Sequence, residues 1–183
     1  MTGSTHAAAK AGWLTVRDEI SDALTTVSAA EMHRAAALLA EPGRRWFCSG
    51  QGRSGLVAQM SAMRLMHAGH EAHAVGEATA PAIGPDDGLI VISGSGETPV
   101  TLHLAKLARD SGARLLAVTT CADSTLAGLS HSVIEIPTAG TRQFGGSLFE
   151  QSALLLLDSL ILDLTATTPE AYAEMGARHT NLQ

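Results

Sequence analysis

Two glycine-rich loops and one acidic residue are the places where this chain of 183 residues carries side chains suited to chemistry. The run Leu89-Ile90-Val91-Ile92 is apolar and β-branched with no helical spacing, which predicts a buried strand of a parallel sheet. It leads into Ser93-Gly94-Ser95-Gly96-Glu97-Thr98, then Pro99 and a helical pattern at Leu102, Ala105, Leu107 and Ala108. Strand, tight loop and helix start together suit an anion. Glycines let the backbone approach, successive N–H groups point outward, and Ser93, Ser95 and Thr98 add hydroxyl donors. A phosphate is the expected guest, against the plainer alternative that Ser95 and Thr98 only cap the helix. Glu97 is kept as a binding candidate, because the helix dipole favours an acid at that end in any case.

The second loop, Ser49-Gly50-Gln51-Gly52-Arg53-Ser54-Gly55, also closes a strand and opens a helix. Gly52, Arg53 and Ser54 are its binding candidates. A bare guanidinium at a helix start is repelled by the dipole, so Arg53 is expected to bind a phosphate or polarise a carbonyl oxygen rather than stand as an exposed charge. Gly50-x-Gly52-x-x-Gly55 also fits the dinucleotide-binding pattern, with Glu77 beyond the next strand as the ribose acid. Against that stand a chain too short for a separate substrate domain and a hydroxyl-rich loop placed after the third strand. Glu150 is the candidate base. It follows the glycine-bearing segment 138–146, expected to be flexible, and opens a very apolar helix, where burial would raise a carboxylate's pKa toward neutrality. Ser147-x-x-Glu150 reads equally well as a capping box. His67, His70 and His73 are spaced like metal ligands, but Gly69 interrupts them and no metal site is expected.

These groups need a scaffold. Apolar positions Trp13, Val16, Ile20, Leu24 and Val27 predict a helix over about 10–27, and a second helix runs from about Ala29 to the stop at Glu41-Pro42-Gly43. Residues 1–9 read as a frayed start. Strands are expected at about 45–49, 71–75, 88–93, 114–119 and 132–136, with helices at about 54–68, 97–111 and 123–130, the last capped by Asp123. A helix at 147–164 and a short one from Pro169 complete the chain. The alternation predicts an α/β fold, a three-layer α-β-α sandwich around a five-stranded parallel sheet of order 2-1-3-4-5. Ligands in such folds sit where strand order reverses, outside the ends of strands 1 and 3, where the two loops lie. His103 and His131 read as surface residues.

The chain fits a single domain, 1–183, with an N-terminal helical arm (about 10–40) and a C-terminal helix and tail (about 147–183). Net charge is −6 with no basic cluster, and aromatics are 3% of residues, which argues against nucleic-acid and anionic-membrane partners. No run is long enough to span a membrane. Two distant cysteines without a CxxC pattern, and no recognisable signal peptide, point to the cytoplasm.

GxGRSG at 50–55, Met63-Arg64-Leu65-Met66-His67, Val75-Gly76-Glu77, SGSGET at 93–98, Ile134-Glu135-Ile136-Pro137, Gly145-Gly146-Ser147-Leu148-Phe149-Glu150 and Arg178-His179 resemble the 6-phospho-3-hexuloisomerases of the SIS (sugar isomerase) fold. Gln51 departs from that pattern, where a small residue is usual. The resemblance implies interconversion of D-arabino-hex-3-ulose 6-phosphate and fructose 6-phosphate in the ribulose monophosphate route of formaldehyde fixation, functionally linked to a hexulose-phosphate synthase. It favours catalysis over capping for Glu150. It also implies a homotetramer in which a histidine, here His179, reaches the site from a neighbouring subunit. Moving a ketone from C3 to C2 needs a base, donors for a 2,3-enediolate and a proton returned to C3, and no cofactor. The alternatives are a non-catalytic phosphosugar sensor, which would usually carry a helix-turn-helix domain, another SIS aldose-ketose phosphate isomerase, and a nicotinamide-dependent oxidoreductase.

Overall fold

Alternation of side chains along five short strands decides the architecture. The computed structural model describes residues 11–182, so the expected frayed start lies outside the described residues. In chain order the elements are α1 (Gly12–Thr26), α2 (Ala29–Leu39), β1 (Trp46–Gly50), α3 (Arg53–His67), β2 (Ala72–Ala74), β3 (Gly88–Ile92), α4 (Pro99–Asp110), β4 (Arg114–Thr119), α5 (Thr125–Leu129), β5 (Ser132–Glu135), α6 (Ser147–Leu164) and α7 (Pro169–Ala177). The strands pair in the order β2-β1-β3-β4-β5, every pair parallel. This is the expected doubly wound sheet. Trp46, Cys48, Ile90, Ile92, Leu116, Val118 and Ile134 face α2, α3 and α6, while Phe47, Leu89, Val91, Leu115 and Ala117 face α4 and α5. Period-2 alternation thus splits one sheet between two cores. Each fully buried Leu or Ile contributes about 1.5–3 kcal/mol.

The end of the sheet away from the loops is fixed by charge and shape. Arg45 donates through Nε and Nη2 to the two carboxylate oxygens of buried Asp87, at 3.1 and 2.8 Å, tying the start of β1 to the start of β3. Gly88 must lack a side chain, because a Cβ there would lie 2.4 Å from the Trp46 ring.

Two local expectations are corrected. The helix over 123–130 is shorter, and its cap is Ser124, whose Oγ accepts from the Ala127 N–H, one residue beyond Asp123. The segment 138–146 is tied down rather than loose. Glu19 of α1 accepts hydrogen bonds from Thr141 Oγ1, the Arg142 N–H and Gln143 Nε2 at 2.7, 2.9 and 3.1 Å, and those bonds, the Arg142 backbone's first, hold its carboxyl below the usual range. The helical arm therefore positions the segment that leads to Glu150. His131, though exposed, also has a structural task, since its Nδ1 accepts the Leu115 N–H at 3.0 Å.

Candidate functional site

Parallel strands deliver their connecting loops to one edge, and there β1 and β3 present both glycine-rich turns side by side. In the first, each glycine has a separate reason. A Cβ on Gly50 would sit 2.5 Å from the Ser54 carbonyl oxygen, and one on Gly55 would sit 2.9 Å from that of Gly50, so both permit the close passage of β1 against α3. Gly52 caps α3 with φ +57°, a conformation that favours glycine. Arg53 then begins α3 with an exposed side chain, and Ser54 is buried behind it.

In the second loop Ser93 is buried, Ser95 exposed and Thr98 partly exposed, with the Ser93 and Thr98 hydroxyls 3.3 Å apart. Thr98 is the N-cap residue of α4 yet makes no side-chain cap bond, which leaves its hydroxyl for other partners. Ser95 Oγ accepts the Glu97 N–H at 3.2 Å. Behind the loop the Gly94 carbonyl accepts from the Thr120 N–H, Thr119 Oγ1 and Thr120 Oγ1 at 3.0, 3.1 and 2.8 Å. Neither threonine was legible as a site residue, because nothing in a strand-ending Thr-Thr pair announces the carbonyl it will meet. Glu97 reaches across to α5, its Oε1 accepting the Thr125 N–H at 2.6 Å, and that backbone bond holds its carboxyl below the usual range.

Glu150 reaches the same edge from α6. Phe149, its neighbour, lies against the second loop, where a Cβ on Gly94 would meet its ring at an ordinary contact distance of 3.4 Å. The Glu150 carboxylate accepts a hydrogen bond from Arg53 Nε, a charge-assisted pair joining the first turns of α3 and α6. The expected wall of apolar side chains is thus replaced on one side by a guanidinium. The expected alternative, a capping box, is not formed: Gly146 is the N-cap residue of α6, with no side-chain cap bond. Glu150 is 14% exposed and Arg53 60%, so the pair borders solvent. Beside it lies a groove of about 210 Å³ between Leu56, Val57 and Met60 of α3 and Gln151 and Leu154 of α6.

His179 lies elsewhere. Its ring stacks on His67, centroids 5.2 Å apart, while Arg178 Nη1 donates to the His67 carbonyl at 3.0 Å and so caps α3. Arg53 and His67 are the two ends of α3, about 20 Å apart at 1.5 Å per residue, so within one chain His179 and Glu150 are far apart. Among the described residues no three His, Cys, Asp or Glu side chains form a group able to hold a metal ion. Glu77 Oε2 accepts the Ala74 N–H at 3.4 Å, turned back on its own strand.

Residues 38–157 match the family model of the SIS domain. The chain is 42% identical to a 3-hexulose-6-phosphate isomerase of Mycobacterium gastri over 92% of this chain and 88% of that one. It is 37% identical to the 3-hexulose-6-phosphate isomerase of Bacillus subtilis strain 168, over 75% and 79%. A crystal structure from Methanococcus jannaschii, for which a molecular function of 3-hexulose-6-phosphate isomerase was inferred, superposes with TM-score 0.78 at 28% identity, covering 93% of this chain and 98% of that one.

Proposed function

The chain belongs to the SIS-domain family, among its 3-hexulose-6-phosphate isomerases, and on that premise we propose that it moves the ketone of D-arabino-hex-3-ulose 6-phosphate from C3 to C2, giving fructose 6-phosphate, at the edge where Arg53, Glu150 and the Ser93–Thr98 loop meet. The observation that carries the site reading is the Arg53–Glu150 pair bordering the open edge of the sheet. The phosphate is held by Ser93, Ser95 and Thr98 and by the start of α4, with Gly52 and Ser54 of the first loop on the other side. Glu150 takes the proton from C2 of the hexulose and returns it to C3 of the enediolate, while the proton of the O2 hydroxyl passes to O3 as the ketone moves to C2. Arg53 stabilises the negative oxygens between the two steps, a task its charge and donors suit. No electron leaves the sugar, so no redox partner is consumed.

We read residues 1–183 as one catalytic unit that works as a homo-oligomer, a tetramer, in the cytoplasm. Leu56, Met60 and Met63 of α3 and Leu155 and Leu162 of α6 are large apolar side chains left exposed, which supports a covered face beside the site. In such an assembly His179 opens the ring form of the sugar or shuttles a proton between its oxygens in the neighbouring subunit's site, a reading supported by its distance from Glu150 in its own chain. The enzyme then follows a hexulose-phosphate synthase in formaldehyde fixation. The test supplies ribulose 5-phosphate, formaldehyde and such a synthase, with no nicotinamide, and measures fructose 6-phosphate. Its appearance only when this chain is added is the expected result; accumulation of unchanged hexulose phosphate overturns the proposal.

A further inference from the structure

Glu97 presents a physical puzzle. A carboxylate within the loop that receives a phosphate dianion repels that guest, and the capping of α4 does not require it, since Thr98 is the N-cap residue there. Its surroundings explain it. The carboxylate is exposed, yet its Oε1 is engaged by the Thr125 N–H at 2.6 Å. One residue earlier, the Gly96 carbonyl accepts the Leu126 N–H at 3.1 Å. Gly96 is buried at φ +64°, and a Cβ on it would collide with Ser124 Oγ at 2.2 Å. With the three donors that Thr119 and Thr120 aim at Gly94, the rear of the loop is held at Gly94, Gly96 and Glu97 by the connection from β4 into α5. The front, with Ser95 and Thr98, is left to the ligand.

We propose that Glu97 is a positioning residue rather than a phosphate ligand: its carboxylate clamps the Ser93–Thr98 loop to the first turn of α5, so that the hydroxyls and N–H groups are fixed before the phosphate arrives. This rests on the reading of that loop as the phosphate site. Preorganisation removes an ordering cost from binding, which offsets the repulsion of one carboxylate whose charge is already committed to an N–H donor.

The experiment compares E97A and E97Q with the wild type, measuring kcat, KM for fructose 6-phosphate and the inhibition constant of inorganic phosphate, with circular dichroism to verify folding. E97A raises both KM and the phosphate inhibition constant by about tenfold or more, the scale of a lost charge-assisted bond, with a smaller change in kcat. E97Q recovers most of the affinity, because its amide oxygen still accepts from Thr125. A folded E97A with unaltered or tighter phosphate inhibition overturns the positioning role, and so does an E97Q as impaired as E97A. A wild type indifferent to phosphate overturns the loop assignment and this proposal with it; normal wild-type inhibition beside an unaltered E97A overturns the positioning role alone.

Discussion

Replacing Glu150 with Gln separates chemistry from architecture because the two consequences differ in size by orders of magnitude. The amide keeps the volume and one acceptor for Arg53 Nε but cannot take a proton, so kcat falls about 100-fold or more, the usual worth of a positioned base. The structural cost is small. Arg53 is 60% exposed and its guanidinium stays hydrated when the opposing charge is lost, so the pair ranks with solvent-exposed ion pairs worth about 0.2–1 kcal/mol. For a chain of this length that is a fall in Tm of about 4 °C at most. No capping bond is lost, since α6 has none from this side chain. Steady-state kinetics beside thermal melts of the same preparation decide the matter. A variant with near-wild-type kcat refutes the assignment of Glu150 as base, and a loss of activity matched by a collapse in Tm refutes the claim that its role is chemical.

Three further outcomes follow from the geometry. Changing Ser95 and Thr98 together to alanine raises KM strongly at near-constant Tm, since each hydrogen bond to a charged group is worth roughly 1.5–3 kcal/mol and neither hydroxyl supports a helix cap; an unchanged KM contradicts the phosphate site. Mixed preparations of E150Q and H179A chains, with subunit exchange verified, regain part of the activity that each lacks alone, and a mixture that stays inactive contradicts action between subunits. Stability falls on mild acidification. Burial, with His179 and Arg64 as lesser causes, depresses His67 below its ordinary 6.5, and burial depresses His70 likewise, so the unfolded chain binds the proton first. Their contribution is complete above 6.5 and is lost as pH falls through the depressed folded values. Urea midpoints that stay level from pH 7 to pH 5, or a slope unaltered in H67Q, contradict this.

Strand order was legible because β3 and β4 are continuous apolar runs and every connection is long enough for a parallel crossover. The loops were legible too, since Gly50 and Gly52 are demanded by a close approach and a positive φ that few other residues allow. Long-range partners were not. Ser147-x-x-Glu150 obeys a local rule for capping, and only the packing of α3 against α6, which brings Arg53 to Glu150, decides against it. Glu97 likewise satisfies a dipole argument over a few residues while its carboxylate binds Thr125, 28 residues away. The grip of Glu19 on 141–143 spans more than 120 residues. Asp123 and Ser124 are both good caps, and local preference does not choose between neighbours.

The most direct measurement is proton exchange at the sugar itself. Fructose 6-phosphate is incubated with the enzyme in D2O, and the C3 hydrogen is followed by proton NMR over many turnovers. Transfer through a solvent-bordering Glu150 carboxylate predicts that deuterium replaces that hydrogen with the wild type and does so about 100-fold or more slowly with E150Q. A C3 hydrogen retained through many turnovers, or exchange by E150Q at the wild-type rate, contradicts it.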